Sequence, residues 1–308
     1  MKVGIIGAGA VGRACLLALT MRGPADEIVV VDRTPERAEG EIADIRYGAI
    51  LSQSVRLRDG DYEELRGAGL VMITIGLNEK SGGATDRNDK QGRLRLLQKN
   101  AEIYRGIVPL IVDAAPGAVL LVVTDPPDPL AFLTRQLVRH ERVVSTGTLL
   151  DSLRFRFHLA ERLQVDPRSV EAQVLGEHGT SAVFLWSGVR VGGVTLDKID
   201  GGGEAAMRGE IEKTVRAANI TIIEGIGASQ LGIGVLCARL AEMVARDERA
   251  VVPVGSFNEN YGVTLSLPSV VGREGVLRVF EPAMTEKEAA ALRESAAVLR
   301  GAQEGLGG

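Results

Sequence analysis

"KVGIIGAGAVGRACLLALTMR", residues 2–22, runs from a short apolar segment through a glycine cluster into a helix-length segment. Gly7, Gly9 and Gly12 give the spacing G-x-G-x-x-G. Where a strand turns directly into a helix, each glycine has its own task. Gly7 permits the tight turn, Gly9 lets a pyrophosphate approach the backbone, and Gly12 lets the helix pack close to the sheet. The helix start then offers unpaired N–H groups and the positive end of its dipole to phosphate. A lysine followed by an apolar run also imitates a secretion signal, but the glycines at 4, 7, 9 and 12 interrupt that run. A second apolar run, "EIVVVD" (27–32), ends in Asp32. A carboxylate there accepts hydrogen bonds from an adenosine ribose and repels a 2′-phosphate. The segment therefore predicts dinucleotide binding with NAD preferred over NADP, Arg33 being the one neighbour that would favour the extra phosphate.

Outward from this unit the same texture continues. "LVMITIG" (70–76), "AVLLVVT" (118–124) and "RVVS" (142–145) are further apolar runs, the first two each followed by a helix-length segment. Five strands alternating with helices, apolar enough to be buried on both faces, predict an α/β fold with a Rossmann-type doubly wound parallel sheet over residues 1–145. After about residue 146 the pattern changes. "VEAQVLG", "FLWSGVRVGGVTL" and "VVPVGSF" read as strands with short connections, and helices are expected near 204–224, 229–246 and 285–302. Residues 146–308 thus form a second, α+β catalytic domain, which suits a chain of 308 residues. "IDGGGEAA" (199–206) reads as a surface loop.

Composition narrows the function. The net charge is −4, which gives no general affinity for nucleic acid or anionic membrane. No apolar stretch reaches the ~18 residues that span a bilayer. Cys15 and Cys237 are the only cysteines, and both fall in apolar helical segments. A disulfide framework or a metal site is not expected, and a reducing cytoplasm fits.

Histidine is scarce: His140, His158 and His178. His178 stands in "LGEHGTS" (175–181), between a carboxylate and a glycine. In "STGTLLDSLRFR" (145–156), Asp151 and Arg154 are three apart and share one helix face. They could form a helix-surface ion pair, worth only tenths of a kcal/mol. They could instead join His178, the carboxylate orienting the imidazole and raising its pKa while the arginine forks onto a ligand carboxylate.

These motifs, with "GRLRLLQKN", "EGIGAS" and "YGVTLSLPSVVG" in the same order, resemble the NAD-dependent L-lactate and malate dehydrogenases over nearly the whole chain, with L-lactate dehydrogenase the nearer. The resemblance implies that His178 is proton donor and acceptor, Asp151 its partner, Arg154 the substrate carboxylate clamp and Arg93 a loop arginine that polarises the substrate carbonyl. Gly7, Gly9, Gly12, Asp32 and Asp125 would bind NAD, and Glu79, Asp125 and Ser229 would set substrate specificity. The implied reaction interconverts a small 2-hydroxy acid and its 2-oxo acid, with lactate and pyruvate the expected pair. Its members are homo-oligomers, dimers or tetramers, so a homo-oligomer is expected.

The chain departs from that pattern in places. Glu79 stands where the family carries glutamine for lactate or arginine for malate. The loop over 81–92 is about five residues longer than usual. Asp125 replaces an asparagine before a proline that the resemblance makes cis. Glu171 replaces a histidine of the enzymes activated by fructose bisphosphate, so that activation is not expected although Arg156 fits. Two rival readings follow: a malate dehydrogenase in which Arg87 enters the pocket, and a dinucleotide-binding regulatory protein that has lost catalysis.

Overall fold

The computed structural model describes residues 1–77, 94–138, 140–199 and 205–306. In the first half the order is β1 (Lys2–Ile6), α1 (Ala10–Arg22), β2 (Glu27–Val31), α2 (Pro35–Ala49), β3 (Arg56–Asp59), β4 (Ala68–Ile73), α3 (Leu97–Ala114), β5 (Val119–Val122), α4 (Pro127–Val138) and β6 (Val143–Ser145). The six strands are parallel in the order β3-β2-β1-β4-β5-β6. Strand order reverses between β1 and β4, and such a reversal opens a crevice at the carboxyl ends of those strands. β2, β5 and β6 are buried throughout, which explains why their sequences are apolar apart from Glu27 and Ser145.

Five strands are expected here from the sequence, and the structure adds β3. Its sequence is "RLRD", and only Leu57 is buried. An edge strand with one inward side chain has no apolar run to betray it.

The second half contains α5 (Leu149–Leu163), β7 (Val170–Glu171), β8 (Val174–Leu175), β9 (Val183–Phe184), β10 (Arg190–Val191), β11 (Val194–Thr195), α6 (Ala205–Ile226), α7 (Leu231–Ala245), β12 (Ala250–Asn258), β13 (Val263–Gly272), β14 (Gly275–Val279) and α8 (Glu286–Glu304). "FLWSGVRVGGVTL" is not one strand. A 3-10 turn at Trp186–Gly188 breaks it, and Trp186 turns in to meet Phe155 edge-on, 4.6 Å between ring centres. Phe155, Phe184 and the inner faces of α5 and α6 make a core of their own.

The halves share more than a boundary. β12 pairs with β6 through Gly255 and Ser145, so the antiparallel β12–β14 extend the parallel sheet into one nine-stranded layer among the described residues. Gly255 is needed there, since a Cβ would collide with the Ser145 hydroxyl and sit 2.6 Å from Asp128 Oδ1. α7 packs on α1 in the core that covers one sheet face, and a Cβ at Gly234 would lie 2.6 Å from the Ala14 backbone. Residues of α3 and α4 cover the other face. No described helix is alone long and apolar enough to cross a membrane.

Candidate active site

The crevice above β1 and β4 begins with the glycine loop. Gly7 has φ +106°, a conformation open to glycine, and a Cβ on Gly12 would collide with the Gly7 carbonyl oxygen. Gly9 starts α1 with no side-chain cap on the helix N–H groups, and the space above its missing Cβ is open. Thr74 braces the loop from β4, its hydroxyl donating to the Ile6 and Gly7 carbonyls at 3.0 and 3.1 Å. Asp32 directly follows β2 and accepts from the amides of Ala8 (2.7 Å) and Thr34 (2.9 Å). Each carboxylate oxygen keeps a second lone pair for a ribose hydroxyl.

One cleft of about 320 Å³ joins this loop to the second half. Gly9, Asp125, Arg154, His178 and Ser229 all line it. Asp125 is held by its main chain: its carbonyl accepts from Asn100 Nδ2 at 2.8 Å, and Asn100 Oδ1 accepts from the Leu77 amide at 2.9 Å. The Asp125–Pro126 bond is cis. Fully buried Asn100 thus ties the turn after β4 to the turn after β5. Asn100 stands in "GRLRLLQKN", where the sequence alone assigns it no role. Its signal was a polar residue on the buried side of an amphipathic helix.

Asp151, in the first turn of α5, serves two partners. Its Oδ2 lies 2.5 Å from His178 Nδ1, and its Oδ1 accepts from Arg154 Nη1 at 3.1 Å. The helix ion pair and the link to histidine therefore coexist, one on each oxygen. All three side chains are largely buried, so their charges interact more strongly than a surface pair would. With Nδ1–H assigned as donor to the carboxylate, Nε2 carries the lone pair of the neutral ring.

The loop that carries His178 is fastened one amide at a time. Gly176 pairs with Ser266 of β13 in both directions at 2.9 Å. Glu177 N–H donates to Ser295 of α8 at 2.8 Å, and its carboxylate turns to Ser181. His178 N–H donates to Asp128 of α4 at 2.8 Å. Asp128 was not singled out in the sequence, because its partner is fifty residues away. Burial pushes its carboxyl up to about 6, against the pull of its two hydrogen-bond donors.

The other histidines have simpler partners: His140 accepts from the Arg142 amide, and His158 faces Glu161 on α5. Glu171 lies on β7 near half-buried Arg156 and acts on its charge. Glu79, Arg87 and Arg93, and the loop over 81–92, lie outside the described residues.

The chain matches the model of the lactate/malate dehydrogenase NAD binding domain over residues 1–145 and that of the lactate/malate dehydrogenase alpha/beta C-terminal domain over residues 148–305. It is 43% identical over 311 residues to the L-lactate dehydrogenase of Deinococcus radiodurans, covering 100% of both chains. To the L-lactate dehydrogenase of Thermus aquaticus it is 41% identical over 317 residues, again covering 100% of both. Among solved structures it is similar to a lactate dehydrogenase enzyme from a Medee basin deep-sea metagenome library. The TM-score is 0.91 and the identity 30%, with 99% of this chain and 98% of that one covered.

Proposed function

The chain belongs to the lactate/malate dehydrogenase family, and from that premise we propose that it is an NAD-dependent dehydrogenase interconverting L-lactate and pyruvate through His178, Asp151 and Arg154. One observation carries the reading: the 2.5 Å contact of His178 Nδ1 with Asp151, in the same cleft as Arg154 and the glycine loop. A retired regulatory domain has no use for an imidazole held by a buried carboxylate at that place.

The residues present fit the cofactor. The uncapped start of α1, the open space over Gly9 and the carboxylate of Asp32 answer a pyrophosphate and a ribose. Residues 1–145 hold the dinucleotide in this reading, and residues 146–308 supply the groups that meet substrate. NAD, when bound, supplies the hydride acceptor for C2 of the hydroxy acid. His178 Nε2 takes the hydroxyl proton, and Asp151 stabilises the imidazolium that forms. Arg154 grips the carboxylate and fixes C2. Asp125 and Ser229 border the substrate, and the family resemblance assigns Arg93 to polarise the carbonyl oxygen. Asp32→Ala is expected to raise NADP use relative to NAD, with Arg33 then able to meet the 2′-phosphate. Cofactor selectivity measured on both dinucleotides checks this, and an unchanged ratio would place ribose recognition elsewhere.

Pyruvate is the substrate we assign, on the identity of Glu79. At the position by which the resemblance sorts lactate from malate enzymes, a glutamate repels a second substrate carboxylate, by several kcal/mol in a closed site. NADH oxidation measured on a panel of 2-oxo acids should show pyruvate preferred to oxaloacetate by about a hundredfold or more. Glu79→Gln should narrow that gap and Glu79→Arg should reverse it. A wild-type preference for oxaloacetate that neither substitution moves would make the protein a malate dehydrogenase with Glu79 outside the pocket.

A homo-oligomer is also part of the reading. Tyr47, Ile50 and Leu51 at the end of α2, Met21 on α1 and Leu231 and Val235 on α7 are exposed, and α1 packs on both other helices. Exposed apolar side chains on three helices in contact suit burial against a second copy of the chain.

A further inference from the structure

A second cavity lies away from the catalytic cleft, on the second half of the chain. It holds about 740 Å³ and opens between the Trp186–Gly188 turn, the β10–β11 pair and the first turns of α6 and α8. Neither His178, Arg154 nor the glycine loop lines it, and neither does Arg156 or Glu171. Its carboxylates are already matched. Glu288 accepts the main-chain N–H and hydroxyl of Ser187, and those of Thr285 in the cap of α8. Glu212 accepts from Trp186 Nε1 at 2.8 Å and lies 3.6 Å from Arg216. Asp197 is exposed to water.

The cations of the cavity are not matched. Arg216 gives its two Nη groups to the carbonyls of Thr180 (2.8 Å) and Ala182 (2.7 Å), and Arg190 donates to those of Ser187 and Val189. Carbonyls satisfy N–H groups without cancelling their charge. Arg208 is the plainest case. Its guanidinium lies 5.1 Å over the Trp186 ring, and its Nε is buried with no hydrogen-bond partner. Among the described residues neither Arg208 nor Lys287 pairs with a carboxylate. Both stand in the first turns of their helices, α6 and α8, where a cation faces the positive end of the helix dipole. A buried donor left unpaired and two cations set against helix dipoles cost stability, and an anion that meets them removes the cost. We propose that this cavity binds a compact dianion, a dicarboxylate or a phosphate monoester, with Arg208 and Lys287 as the cations that hold it and the Trp186 ring as the wall behind the guanidinium. Two cations on two helices call for two negative charges. Glu212 and Glu288 flank them, so a ligand with charge at further points meets repulsion, which favours a small dianion over a polyanion. The planar fork of Arg208 suits carboxylate and phosphate alike. No residue of this site touches the cleft where His178 acts, so the site stands apart from the reaction assigned above.

Calorimetric titration of the full chain tests it, with NADH saturating so that the glycine loop is filled. The probes are succinate, glycerol phosphate and, at equal ionic strength, acetate as a monoanion. Wild type should bind at least one of the two dianions with a Kd of about 1 mM or tighter, and acetate about tenfold more weakly or worse. Arg208→Gln should weaken that dianion by about tenfold or more, and Lys287→Gln, which loses an exposed ammonium, by about threefold. Both variants should turn over as wild type does. Arg154→Lys in the catalytic cleft and Arg156→Ala beside Glu171 should leave the dianion bound as before. Binding of succinate alone marks a dicarboxylate and binding of glycerol phosphate alone a phosphate monoester, and either establishes the site. No saturable binding of either dianion below about 10 mM overturns the proposal. So does a Kd that Arg208→Gln leaves unchanged, or binding lost in Arg154→Lys or Arg156→Ala. If Arg208→Gln fails to fold, the exposed Lys287→Gln decides, and an unchanged Kd there overturns the site.

Discussion

His178→Asn is expected to cut kcat by on the order of a thousandfold while NADH affinity stays nearly unchanged. Asparagine can still meet Asp151 with its amide, and its main chain can still donate to Asp128, so the loop has its fastenings. Only the proton carrier goes. The glycine loop and Asp32 hold the dinucleotide on other elements of the fold. Stopped-flow or steady-state turnover and a fluorescence titration with NADH measure the two quantities separately. Near-normal turnover in this variant would refute the assignment of His178.

Arg154→Lys is the second large effect. Lysine keeps the positive charge, and an ammonium can still pair with Asp151 as the guanidinium does at 3.1 Å. What it loses is the planar two-point contact with a substrate carboxylate. The KM for the oxo acid should rise about a hundredfold, a loss of a few kcal/mol in substrate binding, with NADH binding unaffected. Since lysine retains the intrahelical pair, an unchanged KM would mean that the pair with Asp151 is all that Arg154 does. A lysine variant distinguishes these roles where alanine would remove both.

Much of this was legible in the sequence, for identifiable reasons. β1, β2, β4 and β5 are buried strands, and burial on both faces writes itself as a run of Val, Ile and Leu. The glycine loop was legible because backbone geometry leaves no other residue at Gly7 and Gly12. Asp151 and Arg154 could be paired from spacing alone, but their joint relation to His178 depends on a loop from another part of the chain. Asp128 and Asn100 were not legible. Each binds main-chain groups, and an amide carries no residue identity for a sequence pattern to record. The Gly255–Ser145 pairing joins residues 110 positions apart and rests on one rung. β3 was hidden by its charged residues. Glu79 and Arg93 were readable through resemblance alone.

That single rung has a consequence for how such chains can be recombined. The halves meet in a shared sheet and a shared core, so they are not interchangeable cassettes. A second half taken from a relative must bring a residue without a side chain opposite Ser145, and another against Ala14, or the layer opens where Asp128 is sealed. A chimaera joined cleanly at residue 146 would still have two seams to match, and the second-half residues that make them, Gly234 and Gly255, stand far along the chain from the splice.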